Sequence, residues 1–140
     1  MGGCVTGLLI TDDAAADPRS TYDVDAIAAI TSYAEYANFA ARLHALGFSE
    51  DTREHAPPCR WINGRTTLDV MPLDEKILGF SNRWYRAAMD ASEIKKLETD
   101  PEIRTITAPY FIATKLEAFQ RSGQGRLLRE SRSRRPRLHR

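Results

Sequence analysis

The sequence predicts a mixed α/β domain of the α+β kind, in which helices flank a small, largely antiparallel or mixed sheet. Three observations predict it. Ser32 and Glu35 stand at capping-box spacing ahead of an amphipathic run, and Gly47 lies where that helix would stop. The short runs "CRWIN" and "TTLDVMP" flank Asn63-Gly64, a hairpin signal. Pro109 suits the first turn of a further helix over residues 109–120.

The elements follow in chain order. "GGCVTGLLIT" opens with paired glycines and reads as a turn leading into a short helix. "TDDAAADPRS" is acidic, small and broken by Pro18, so it reads as a loop. "TYDVDAIAAI" is a strand. In residues 32–46, Tyr36, Phe39, Leu43 and Leu46 recur at steps of three and four, the spacing of one helix face. "GFSEDT", "CRWIN" and "TTLDVMP" are short strands. "NRWYRAAMDA" is a helix. "IKKLE" and "IRTIT" read as edge strands around the Asp100-Pro101 turn.

The 140 residues are one domain's length, enough to bury a core. Apolar residues make up 42% and charged residues 28%, which is the balance of a soluble globular chain. No apolar run reaches the ~18 residues a membrane span needs. The first residues lack the basic and apolar segments of a secretion signal. Cys4 and Cys59 form no metal-binding spacing and are expected to be reduced thiols in the cytosol. The net charge of +1 hides an asymmetry. Residues 121–140 carry eight arginines against one glutamate, whereas residues 1–120 carry 12 basic and 18 acidic groups. The organisation expected is a domain over 1–121 and a basic, disordered tail over 122–140.

Chemistry concentrates in "STYDVDAI". Aspartate is depleted in strands, yet Asp23 and Asp25 lie two apart in one, so their carboxylates point to the same face. Val24 is expected to turn the other way, into the core. Two like charges so close repel, and a divalent cation between them removes the problem. Mg²⁺ takes one or two carboxylates together with waters and substrate phosphates. Two such ions ~3.5–4 Å apart can clamp the attacking and leaving oxygens of a phosphoryl transfer. In "TTLDVMP", Leu68 and Val70 face one way and Asp69 the other, so Asp69 joins the pair if the strands are neighbours. The plain alternative is a solvated strand face with scattered acids.

In "APYFIATKLEAFQR", Phe111, Ile112, Leu116 and Phe119 mark the expected apolar face, and Lys115 lies on or beside it. Its amine either snorkels to water or meets nucleotide phosphates as a point charge. Arg121 pairs equally well with Glu117 at i, i+4.

Taken together, "GG", "DVD", "LDVMP" and "TKLEAFQR" resemble the nucleotidyltransferases of the DNA polymerase β superfamily, most of all the AbiEii-like branch, which includes toxins of type IV toxin–antitoxin systems. The resemblance covers roughly residues 2–121. It implies a nucleotidyltransferase-like mixed sheet flanked by helices and an Mg²⁺-dependent transfer of a nucleotidyl group from a nucleoside triphosphate to a hydroxyl, with two ions. By the same resemblance Gly2 and Gly3 match the glycine pair near the phosphates, and a helix N-terminus there offers free N–H groups to an anion. Asp23 and Asp25 match the metal-binding pair. Asp69 matches the third carboxylate, a ligand and candidate base. Lys115 matches the lysine near the triphosphate. The acceptor implied is RNA, such as a tRNA end, or a protein hydroxyl, and an antitoxin protein is the implied partner.

The chain departs from that pattern at both ends. The resemblance implies a hydrophobic strand before the glycine pair, where Met1 stands here, so the first strand is expected to be missing. Beyond the lysine helix it implies an acidic helical segment, where this chain reads "GQGRLLRESRSRRPRLHR". Codons exist for residues 123–135 that, read one base later, spell GKGDYYASHDLED, which has the implied character. The C-terminal helices are therefore expected to be missing through a shifted frame. Two other functions compete with transfer: a catalytically inactive truncated relic, and a non-catalytic RNA binder whose arginines neutralise phosphates.

Overall fold

The computed structural model describes residues 3–12, 14–16, 22–97, 99 and 101–133, with backbone alone at 3–4 and 123–133. The elements run α1 (Gly3–Leu9), β1 (Asp23–Ala28), α2 (Tyr33–Ala45), β2 (Ser49–Glu50), β3 (Arg60–Asn63), β4 (Thr66–Pro72), α3 (Glu75–Leu78), α4 (Tyr85–Asp90), β5 (Glu93–Lys96), β6 (Glu102–Thr105) and α5 (Ala108–Ser133). The class is mixed α/β. One sheet has the order β1-β4-β3-β2, with β1 parallel to β4 and the other pairs antiparallel.

Local chemistry explains most boundaries. Ser32 accepts from the Glu35 amide at 3.2 Å, and the Glu35 carboxylate reaches back to the Ser32 amide at 3.2 Å, so the capping box is complete. The α2 helix ends where Gly47 takes φ +85°, a left-handed backbone that a side chain resists. Gly64, at φ +58°, is the first of the two residues joining β3 to β4, where a type II′ hairpin places its glycine. The loop is therefore Gly64-Arg65, one residue on from the dipeptide read in the sequence. Asp74 caps α3 by accepting from the Lys76 amide at 2.9 Å, and Gly79 closes it in a left-handed conformation.

The sheet buries both faces. Leu68 and Val70 of β4 pack with Trp61 and Leu43 against α2. Met71, on the other face, packs with Cys59, Tyr85, Ala88 and Ile106, and Val5, Ile27, Tyr110 and Phe111 close around them. The side toward α4 and α5 is thus apolar at the C-terminal ends of β1 and β4. Asp69, Asp25 and Asp23 are what the same alternation puts toward their N-terminal ends.

Four expectations change. The strands β5 and β6 form a separate two-stranded sheet instead of edging the main one. Val24 is on the face opposite Asp25 but near the start of β1, where it is 40% exposed. On α5, Ile112, Leu116 and Phe119 are exposed, and the helix buries Thr114 and Glu117 instead. Those two polar groups have specific partners, described below, which turn the helix. Lastly, helical backbone continues through Ser133, across the boundary expected at 121. Gln, Arg, Leu and Glu are good helix formers, and extending a helix already held at one end is far easier than starting one. Residues 134–140 and Gly2 lie outside the described residues. Among the described residues no helix is long and apolar enough to cross a membrane.

Candidate active site

The parallel pairing sets Asp25 opposite Asp69 and Asp23 opposite Thr67. Three aspartates therefore stand on one side of two adjacent strands. This is the adjacency the Asp69 reading required, and it rests on a long-range pairing through the α2 crossover. Two of the three are withdrawn from water, the side chain of Asp69 being 12% exposed and that of Asp25 18%, while Asp23 is exposed.

Asp69 gives both oxygens to one arginine. Arg60, its cross-strand partner on β3, donates Nε to Oδ1 at 2.8 Å and Nη2 to Oδ2 at 2.7 Å. Such a fork is among the stronger hydrogen-bonded pairs. Hydrogen bonding to Asp69 first, with the charges of Asp69 and Asp23 behind it, raises the Arg60 pKa against the cost of desolvation. Asp25 meets Lys115, whose Nζ lies 3.5 Å from Oδ2 and 5.7 Å from the centre of the Phe111 ring. The Lys115 side chain is 51% exposed, so its amine faces the carboxylates and solvent together.

Lys115 is held there by its neighbours on α5. Asn82 Nδ2 donates to the Thr114 carbonyl at 3.0 Å. Buried Glu117 lies 2.8 Å from Arg83 Nε and 3.1 Å from Arg121 Nη2, and Arg121 Nη1 donates to the Ser81 carbonyl at 2.7 Å. Buried carboxylates are tolerated when paired in this way. The segment 81–84 therefore fixes the axial rotation of α5, which aims Lys115 at Asp25.

Two buried groups near the carboxylates remain neutral at ordinary pH. Burial, and then the Asp69 charge, pushes the Cys59 thiol up to about 11. Burial, then Cys59 and Asp25, pushes the Tyr85 hydroxyl up to about 12. Neither is an activated nucleophile, since that role needs a lowered pKa or an adjacent base.

Two cavities adjoin these elements. One of about 510 Å³ follows the free edge of β1, with Asp25 in its wall beside Val5, Ala26, Ile103 and Ile106. The other, about 570 Å³, is lined by Ser81, Asn82, Arg83, Arg86 and Arg121 and includes none of the three aspartates. The first is the one in contact with the carboxylate face.

The donor chemistry suits Mg²⁺, a hard ion that takes carboxylate oxygens. The arrangement is less accommodating. Among the described residues no three acidic, histidine or cysteine side chains converge as a metal-holding group. At Asp69, moreover, both carboxylate oxygens already accept from Arg60.

No protein-family model, curated protein or solved structure matches the chain. The functional reading accordingly rests on the geometry just given and on the sequence motifs. Of the residues read from sequence, Asp25 and Asp69 stand opposite one another and Lys115 lies 3.5 Å from Asp25, while Asp23 shares their side of the sheet two residues along β1. Gly3 begins α1, which packs along β1, and Gly2 is outside the described residues. Arg60, Asn82 and Arg83 are new, while the Glu117–Arg121 pair offered by its i, i+4 spacing is present. The Arg60–Asp69 pair was missed because the turn read at Asn63-Gly64 pairs residue 60 with residue 67; only the loop at Gly64-Arg65 brings it opposite residue 69.

Proposed function

We propose that this chain is an Mg²⁺-dependent nucleotidyltransferase that moves a nucleotidyl group from a nucleoside triphosphate to a hydroxyl acceptor, RNA or protein, in the manner of a toxin paired with an antitoxin. The observation that carries the reading is the parallel register of β1 and β4, with Asp25 beside Asp69 and Lys115 within 3.5 Å. Asp23, Asp25 and Asp69 would hold the metal. When bound, Mg²⁺ supplies charge neutralisation for the triphosphate and for the departing pyrophosphate. Lys115 contributes a mobile positive charge for phosphate oxygens, as an ammonium does well. The amides at the start of α1, from Gly3 onward, together with Gly2 before them, are the further phosphate contacts the motif implies.

In the reaction, the acceptor oxygen forms a bond to the α-phosphorus. The bond from that phosphorus to the α–β bridging oxygen breaks, and pyrophosphate leaves with the electron pair. The acceptor proton passes to Asp69, once its oxygens are free of Arg60. The cavity beside Asp25 is of a volume that takes a small ligand such as a nucleoside.

The test is nucleotide binding. Titration of the full chain with each of the four triphosphates and Mg²⁺, read by tryptophan fluorescence or calorimetry, should show saturable binding that weakens at least about tenfold in Lys115→Ala, the loss of one charge-assisted contact. Absence of binding for every triphosphate contradicts the reading.

A further inference from the structure

We propose that Arg60 and a divalent cation compete for Asp69, so that Arg60 is a positioning residue that gates metal entry to the carboxylate face. The inference rests on the nucleotidyltransferase reading for the cation, but its structural half stands on the Arg60–Asp69 pair alone.

A carboxylate has about four lone-pair sites. Arg60 takes one on each Asp69 oxygen, at 2.8 and 2.7 Å, in a planar fork that fixes the orientation of the group. The two residues are register partners on β3 and β4, so the backbone itself holds them face to face. The guanidinium cannot release Asp69 by losing its proton, because arginine stays charged in proteins. It can leave only by moving. The Arg60 side chain is 27% exposed, so it has a route toward solvent that the Asp69 carboxylate, at 12%, lacks. Asp23, on the same side of β1 as Asp25, adds a further negative charge to this face. Arg60 is thus placed as a monovalent stand-in for a metal among the carboxylates. It keeps these acids compatible in the absence of the ion and opposes the ion's arrival. A cation entering at Asp69 must either share the carboxylate with a positive charge or displace it, and a triphosphate arriving with that cation offers Arg60 a new anionic partner.

The probe is Mn²⁺, whose binding to the full chain is read by electron paramagnetic resonance without any turnover. Arg60→Met removes the charge and keeps much of the stem's volume. We expect it to bind Mn²⁺ about tenfold more tightly than the wild type, the scale of one charge-assisted contact removed from the competition. Adding Asp69→Asn to that variant should abolish the gain. Arg60→Lys, which keeps the charge but loses the fork, serves if Arg60→Met does not fold, and should give a smaller gain in the same direction. Equal or weaker Mn²⁺ binding by the Arg60 variants overturns the competition while leaving the metal site standing. No Mn²⁺ binding by the wild type or any Arg60 variant overturns the metal reading and the competition together.

Discussion

Asp69→Ala tests the strength of the Arg60–Asp69 pair. It deletes two charge-assisted hydrogen bonds at 2.8 and 2.7 Å and leaves Arg60 only partly solvated. A hydrogen bond to a charged group contributes about 1.5–3 kcal/mol net. Water reaching the guanidinium recovers part of the loss, which puts the two bonds at the low end, about 3 kcal/mol together. Against this, Asp25 loses a like-charged neighbour directly opposite, a relief of about 0.2–1 kcal/mol. The net destabilisation is about 2 kcal/mol, or about a 1 M fall in the urea midpoint for a slope near 2 kcal/mol/M. Circular dichroism and the fluorescence of Trp61, which is fully buried, follow the transition together. A double-mutant cycle with Arg60→Met isolates the pair and should give a coupling above about 1 kcal/mol. Additive single losses, with coupling under about 0.5 kcal/mol, would refute the reasoning.

Other outcomes are expected. Ser32→Ala breaks the capping box of α2 and should cost about 1 kcal/mol, visible as a lower urea midpoint with an unchanged slope. The Cys59 thiol should resist iodoacetamide at pH 8 in a Cys4→Ser background. Because its folded pKa of about 11 lies above the unfolded value, the stability it contributes is complete below about pH 8.5 and is lost as pH rises through 11. Urea midpoints that do not fall between those pH values, or fall equally in Cys59→Ala, would contradict this. Lys115→Ala should weaken triphosphate binding while leaving the melting temperature within about 2 °C, since a half-exposed ion pair adds little to stability.

The parts of the fold that were legible are those governed by local chemistry. Ser32, Glu35 and Gly47 delimit α2 by their own hydrogen bonds and backbone preferences. The β3–β4 hairpin follows from a glycine able to take positive φ. The alternation in β4 correctly separates Leu68 and Val70 from Asp69. The parallel contact of β1 with β4 was not legible, because no local preference specifies which strand lies beside which across about 40 intervening residues. The rotation of α5 was misread for a related reason. Ile112, Leu116 and Phe119 form the more apolar stripe, but Thr114 and Glu117 have partners at Asn82, Arg83 and Arg121. The two of these that lie off the helix, Asn82 and Arg83, are invisible to a pattern read along α5 alone. The short α3 carried readable signals in Asp74 and Gly79, though four residues give too little periodicity to stand out.

The most direct test of the central claim is transfer itself. The full chain is incubated with α-labelled nucleoside triphosphates, Mg²⁺ and a pool of RNA and protein acceptors, and pyrophosphate release is followed alongside label incorporation. The account predicts Mg²⁺-dependent incorporation matched by pyrophosphate, with a loss of at least about a hundredfold in Asp25→Asn, as expected when a group acting on the transferred phosphoryl is neutralised. Incorporation that survives Asp25→Asn unchanged, or no incorporation from any triphosphate by the folded wild type, would contradict it.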